Sequence, residues 1–103
     1  MSKEIFYKIK LLKDKYAPEG FRIIGVFGSF ARGEETGQSD IDILYDCDES
    51  LFDKYRGWEF FGYYEKVKSD FEKTLGRKVD LADIKALSSI GEKYILPEIV
   101  YVS

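Results

Sequence analysis

The chain has 103 residues, of which 45% are hydrophobic and 34% are charged, and its formal net charge is −3. This length has room for one small domain with one core, and the composition is typical of a folded soluble protein rather than a disordered chain. The acidic balance disfavours a surface devoted to duplex nucleic acid, because such binding depends on lysine and arginine contacts to phosphates. We therefore expect one domain over residues 1–103, in the cytoplasm.

Some kinds of site are excluded by the residue types that are absent. Histidine does not occur, and Cys47 is the one cysteine, so the chain can form neither an internal disulfide nor a zinc site of Cys and His ligands, and it has no histidine base. Any metal ion would have to be held by oxygen ligands. No apolar run approaches the ~18 residues of a membrane span, and nothing marks the chain for export, so we expect no membrane partner.

The first two predicted elements are a helix and a strand. Over residues 2–16, apolar side chains recur every three or four positions, at Ile5, Ile9, Leu12 and Tyr16, which is typical of an amphipathic helix. The helix should end before Pro18, because the residue that precedes a proline is pushed out of the α region. Residues 21–27 are β-branched and aromatic, which predicts a short strand buried on both faces.

A turn, a loop and a second strand come next. Ser29 stands where an N-cap would, so it should open a short helix over residues 30–32 that Gly33 ends. A polar loop follows, and residues 40–47 predict a strand. In this strand one face would carry Ile41, Ile43 and Tyr45, and the other Asp40, Asp42, Leu44 and Asp46.

Residues 48–56 are ambiguous, and we interpret them as a loop. Residues 57–75 hold helical spacing, with Gly76 as the C-cap, and their aromatic stripe, which includes Trp58 and Phe61, is interpreted as core. A third short strand is predicted over residues 77–81.

The chain closes with a last helix and an apolar run. A capping box is predicted to start the helix at Ser89, and Pro97 should kink or interrupt it before the run at residues 99–102.

Candidate chemistry is concentrated between Gly28 and Asp42. Asp40 and Asp42 would project from one strand face, and a hard divalent cation such as Mg²⁺ would relieve the repulsion between them. Gly28 and Ser29 would aim backbone N–H groups and a hydroxyl at one point, which suits an anion. Each motif also has a structural interpretation, as a turn, a helix cap or a solvated strand face.

A third carboxylate is available on the third strand. Asp80 lies between Val79 and Leu81, and a carboxylate within an apolar strand is costly unless it is paired or ligated. Asp83 is the rival, although it more naturally caps the following turn. Arg32 could hold the loop by an ion pair or contact a phosphate, and we favour the structural role.

Together these residues resemble a known signature. Gly28-Ser29-Phe30-Ala31-Arg32-Gly33, Ser39-Asp40-Ile41-Asp42-Ile43-Leu44 and Leu75-Gly76-Arg77-Lys78-Val79-Asp80-Leu81 look like the minimal nucleotidyltransferases (MNT) of the polymerase-β-like superfamily, including MntA-type antitoxins. The resemblance covers nearly the whole chain. It implies an α+β fold, in which helices flank a small mixed β-sheet.

The resemblance also implies roles for the residues. Gly28 and Ser29 would bind the triphosphate of ATP, and Asp40, Asp42 and Asp80 would hold Mg²⁺, two ions in all, with Asp80 as a ligand or as the base for the acceptor. The implied reaction is attack of a hydroxyl on the α-phosphorus of ATP, with loss of pyrophosphate.

MNT proteins are commonly paired with a HEPN-domain toxin that has ribonuclease activity, and some inactivate it by transferring AMP to a tyrosine. By resemblance, this chain would be an antitoxin that modifies its HEPN partner in this way. Two alternatives stay open. The chain could neutralise the partner by binding alone, or it could be the nucleotidyl-transferring subunit of an enzyme that modifies small molecules.

Overall fold

A four-stranded mixed β-sheet positions the candidate residues. In a computed structural model that describes residues 2–102, the strands within that range are β1 (Phe21–Phe27), β2 (Ile41–Cys47), β3 (Val79–Asp83) and β4 (Val100–Tyr101). Their spatial order is β3-β2-β1-β4; β1 is antiparallel to β2 and β4, while β2 and β3 are parallel. This confirms the expected α+β class with a mixed sheet. The expected domain span of 1–103 includes two terminal positions outside the described residues.

The helices are named in chain order as α1 (Lys3–Tyr16), α2 (Gly28–Arg32), α3 (Glu49–Lys54), α4 (Trp58–Leu75) and α5 (Ser89–Ile95), with 3-10 turns at Ala17–Glu19, Ile84–Ala86 and Leu96–Glu98. The long helices α1 and α4 pack against each other, α1 also contacts β1, and α4 contacts β3. Each buries an apolar stripe, which for α1 consists of Ile9, Leu12 and Tyr16 and for α4 of Tyr63, Val67, Phe71 and Leu75. The periodicity of residues 2–16 and 57–75 therefore predicted both helices correctly. No helix in the described range is long and apolar enough to span a membrane.

Three predictions of local structure were wrong. Residues 48–56 contain the helix α3, which is too short for periodicity to reveal. Trp58 and Phe61 are 88% and 58% exposed, because α4 turns Tyr63 and Val67 toward the core instead. The cap of α5 is Ser88 rather than Ser89, since the Ser88 hydroxyl accepts a hydrogen bond from the Gly91 N–H at 3.1 Å.

The strands also differ in detail from the expectation. β1 buries one face fully, but Arg22 on the other face is exposed, so the strand is not buried on both sides. β3 begins at Val79 and extends to Asp83, two residues later than predicted at each end. Pro97 does interrupt the last helix, as expected, and the Leu96–Glu98 turn that contains it leads into β4.

Candidate active site

Asp42 lies at the centre of the candidate site. Its partner across the antiparallel pair is Phe27 of β1, and its partner across the parallel pair is Asp80 of β3. Residues that are directly paired in neighbouring strands project from the same face of the sheet. The sheet register therefore brings Asp42 and Asp80 side by side, although they are far apart in the chain.

Gly28 contacts Asp42 from the opposite side. Its φ is +74°, in the left-handed region that favours glycine, and a Cβ built on it would lie 2.1 Å from Oδ2 of Asp42. From the sequence, Gly28 is expected to bind the triphosphate through its backbone. In the structure, the lack of a side chain on glycine also provides the space that the Asp42 carboxylate occupies.

The electrostatics of Asp42 reflect this crowding. Burial, together with the neighbouring carboxylates of Asp80 and Asp40, raises the pKa of Asp42 to about 6, while Arg32 opposes this shift. The three predicted aspartates are thus close enough to repel one another. A divalent cation that takes carboxylate oxygens would relieve this repulsion, so the chemistry of these donors fits Mg²⁺.

The three carboxylates do not form a finished metal site. Within residues 2–102, no group of three or more Asp, Glu or Cys side chains is placed so that it could hold a metal ion. Asp40 lies on the loop immediately before β2, and Asp80 is exposed rather than enclosed by its apolar neighbours. Asp83 caps the turn after β3, because its Oδ1 accepts a hydrogen bond from the Lys85 N–H at 2.9 Å, as the sequence indicated.

Ser29 is not the helix cap that the sequence suggested. The helix α2 begins at Gly28, its N-cap is Phe27, and no side chain caps it. In the described part of the chain the Ser29 hydroxyl has no hydrogen-bond partner, so it is available to a ligand. Gly33 ends α2 in the left-handed conformation, as predicted.

Glu98 is a residue of this site that sequence reasoning missed. Its Oε1 accepts a hydrogen bond from the Gly28 N–H at 3.1 Å, and its Oε2 accepts one from Nη1 of Arg32 at 3.1 Å. Arg32 also pairs with Glu34, which confirms that its role in this structure is to hold the loop. Nothing local in the sequence shows that a carboxylate after Pro97 reaches a turn seventy positions earlier.

Sequence reasoning also missed that Arg77 holds separate segments of the site together. Its Nη1 donates hydrogen bonds to the backbone carbonyls of Thr36 at 3.0 Å and Ser39 at 3.1 Å, and its guanidinium lies 4.9 Å from the ring centroid of Phe30. It therefore fastens α2 and the loop that carries Asp40 to the start of β3. A cavity of about 320 Å³, lined by residues 37–40 and 76–78, borders these contacts.

In sequence, the chain matches a known protein family and is similar to several known proteins. The family described as "Polymerase beta, Nucleotidyltransferase" matches residues 8–101. A Methanocaldococcus jannaschii protein assigned as a protein adenylyltransferase is 40% identical, with 97% of this chain and 93% of that protein covered. Protein adenylyltransferase MntA of Thermococcus cleftensis is 38% identical, with coverages of 90% and 83%.

Two solved structures resemble the fold. One, assigned as a minimal nucleotidyltransferase, aligns with a TM-score of 0.73 and 27% identity over 97% of this chain and 95% of its own. The other, titled "Crystal structure of the toxin-antitoxin with AMP-PNP", aligns with a TM-score of 0.56 and 25% identity over 82% of this chain and 61% of its own.

Proposed function

Because the chain belongs to the polymerase beta nucleotidyltransferase family, whose model matches residues 8–101, we propose that it transfers AMP from ATP to a hydroxyl group of a partner toxin and thereby acts as an antitoxin. The observation that carries the proposal is the contact between Gly28 and Asp42, with Asp80 beside Asp42 in register. Two relatives named as protein adenylyltransferases support the reaction, and the toxin–antitoxin neighbour supports the kind of partner.

Each residue of the site has a defined part in the proposed reaction. The Ser29 hydroxyl and the Gly28 backbone would bind the triphosphate. Asp40, Asp42 and Asp80 would hold two Mg²⁺ ions, which would supply neutralising charge for the departing pyrophosphate. Asp80, the most exposed of the three, would act as a metal ligand or as the base that receives the proton of the acceptor. The acceptor oxygen forms a bond to the α-phosphorus while the bond to the bridging oxygen breaks, so the main contribution of the protein is to position the reactants.

The proposed partner is a HEPN-domain toxin, and the proposed acceptor is a tyrosine hydroxyl. This part of the proposal rests on the resemblance of the three motifs to the MNT proteins. A protein acceptor also agrees with the position of Asp80, because its side chain is open to solvent rather than enclosed in a substrate pocket.

One observation favours a second candidate function. Since the described residues contain no ready group of three metal ligands, the chain could instead neutralise the toxin by binding without turnover. The two candidates differ in whether label from ATP reaches the partner.

The test is transfer from α-labelled ATP, with Mg²⁺, to the proposed HEPN-domain partner. We expect labelling by the wild type and loss of labelling by about 100-fold or more in Asp80→Asn, because a charged ligand or base is removed. Asp83→Asn is the matched control, since it alters a carboxylate on the same strand that only caps a turn. Equal labelling by Asp80→Asn and Asp83→Asn would contradict the site, and silencing of the toxin without any labelling would support the second candidate.

A further inference from the structure

The carboxylate of Glu98 binds the Gly28 N–H, which the proposed function assigns to the triphosphate, and the nearby guanidinium of Arg32. Its Oε1 accepts hydrogen bonds from the Gly28 N–H at 3.1 Å and from Nη1 of Arg32 at 3.3 Å, and its Oε2 accepts a second bond from Nη1 at 3.1 Å. Glu98 belongs to the turn before β4, far from Gly28 in the chain. An anion of the protein itself therefore lies at this position.

Carboxylate and phosphate oxygens compete for the same donors. Both accept charge-assisted hydrogen bonds from guanidinium and backbone N–H groups, and two anions that share those donors repel each other. Asp42 already places one negative charge against Gly28. A triphosphate that approaches Gly28 would therefore compete with the Glu98 carboxylate for the same hydrogen-bond donors.

We propose that Glu98 is a further residue of the nucleotide site. Its carboxylate occupies the position proposed for a phosphate, and it sets the affinity for triphosphate because it must release Gly28 and Arg32 before the phosphate binds. This inference rests on the proposed function, since it requires that triphosphate binds at Gly28. It makes Glu98 an internal competitor, so removing its charge should strengthen nucleotide binding rather than weaken it.

The surrounding structure permits this release by rotation of the side chain alone. The Glu98 side chain is 27% exposed and the Arg32 side chain is 47% exposed, so both border solvent. The backbone after Glu98 is held in place, because Val100 pairs with Val26 and the Val102 N–H donates to the Ile24 carbonyl at 3.1 Å. The carboxylate can therefore leave without loss of β4.

The test compares the dissociation constant of AMP-PNP with Mg²⁺ for the wild type, Glu98→Gln and Glu98→Ala, measured by calorimetry. We expect both variants to bind about two- to fivefold more tightly, which is the scale of a partly exposed ion pair. Glu34→Gln is the matched control: Glu34 also pairs with Arg32 but accepts no bond from Gly28, so its effect should be smaller. Tripolyphosphate, which lacks the base and sugar, should show the same order of affinities.

Three results would overturn the inference. If Glu98→Gln and Glu98→Ala bind AMP-PNP no more tightly than the wild type, Glu98 does not compete with phosphate, while wild-type binding and labelling would leave the proposed function intact. If both variants bind less tightly, Glu98 supports the nucleotide instead. If no form of the chain, wild type included, binds AMP-PNP, the proposed function fails together with the inference.

Discussion

At the scale of single residues, Gly28 connects the backbone turn to the carboxylate of Asp42. Glycine is needed at this position for two independent reasons. The φ angle is positive, and a Cβ would lie 2.1 Å from Oδ2 of Asp42. Gly33 shares the first reason, with a φ of +72°, but nothing lies within 4 Å of its missing Cβ. Substitution of Gly33 therefore tests backbone strain alone, whereas substitution of Gly28 tests the same strain together with displacement of the Asp42 carboxylate.

We predict different outcomes for Gly28→Ala and Gly33→Ala. Both should lower the free energy of unfolding by about 1–2 kcal/mol, because an alanine is strained in the left-handed region. Only Gly28→Ala should also lower AMP transfer, by about 100-fold or more, since the new methyl group displaces the Asp42 carboxylate. Chemical denaturation and the labelling assay measure the two effects. Full transfer activity in Gly28→Ala would show that the position of Asp42 does not matter.

The residues of the candidate site could be predicted from sequence to different extents. Gly28, Asp42 and Asp80 stand in local patterns, a glycine turn and two short strands, whose spacing already suggested their chemistry. Glu98 could not be predicted, because its contact with Gly28 depends on how the last turn returns to β1. Likewise, the exposure of Asp80 depends on its place in β3, at the edge of the sheet.

At the scale of elements, the loop between α2 and β2 carries Asp40 and is held by Arg77. The two hydrogen bonds from Nη1 of Arg77 reach the carbonyls of Thr36 and Ser39, and the second of these directly precedes Asp40. The same side chain stacks on Phe30 of α2. Arg77 therefore helps to position Asp40 relative to Asp42, although none of these contacts is made with either aspartate.

We predict that Arg77→Lys lowers AMP transfer by about 10- to 100-fold, because a single ammonium cannot reproduce two bonds to carbonyls worth about 1.5–3 kcal/mol together with ring stacking. The loss should appear mainly in kcat, since the loop that carries Asp40 loses both hydrogen bonds, whereas α2 loses only a ring contact. Lys78→Arg, at the exposed neighbouring position, is the control and should retain activity. A change of the same size in both variants would argue against a positioning role for Arg77.

The long periodic helices were predictable, whereas the short elements α3 and β4 were not. α1 and α4 each present several turns of apolar spacing, which one misplaced residue does not obscure. α3 has six residues, and two-residue β4 is defined by pairing with β1. The aromatic stripe of α4 was misread because Trp58 and Phe61 stand at core-like spacing, while the helix buries the stripe that begins at Tyr63 and leaves both of them exposed.

At the scale of the whole molecule, an ionic cluster fastens the two long helices together. Asp70 of α4 accepts hydrogen bonds from Lys15 Nζ at 2.6 Å and from the Tyr16 hydroxyl, both on α1. Burial opposes the ionisation of Asp70, but the hydrogen bonds from Lys15 and Tyr16 outweigh it and lower the pKa of the carboxyl group. A carboxyl group whose pKa is lowered by folding stabilises the fold above its unfolded pKa and loses this contribution as the pH falls through its folded value.

We therefore predict that Asp70→Asn lowers the free energy of unfolding by about 1–2 kcal/mol at pH 7, since it removes a charged acceptor from the Lys15 and Tyr16 donors. The difference from the wild type should shrink below about pH 4, the ordinary range of an aspartate, and disappear at lower pH. Denaturation at a series of pH values measures this, with Asp14→Asn, an exposed aspartate of α1, as the control. A difference that stays constant with pH would show that the charge of Asp70 is not its source. AMP transfer at pH 7 should be unchanged, because Asp70 lies outside the candidate site.

The central claim is that this chain transfers a nucleotidyl group, and that Asp42 is essential for it. The direct measurement incubates the proposed HEPN-domain partner with ATP labelled at either the α- or the γ-phosphate, using the wild type and Asp42→Asn. We predict that the wild type transfers the α-label and not the γ-label, and that Asp42→Asn transfers neither, because a charged ligand beside Asp80 is lost. Transfer of the γ-label, or equal α-labelling by Asp42→Asn, would contradict the account.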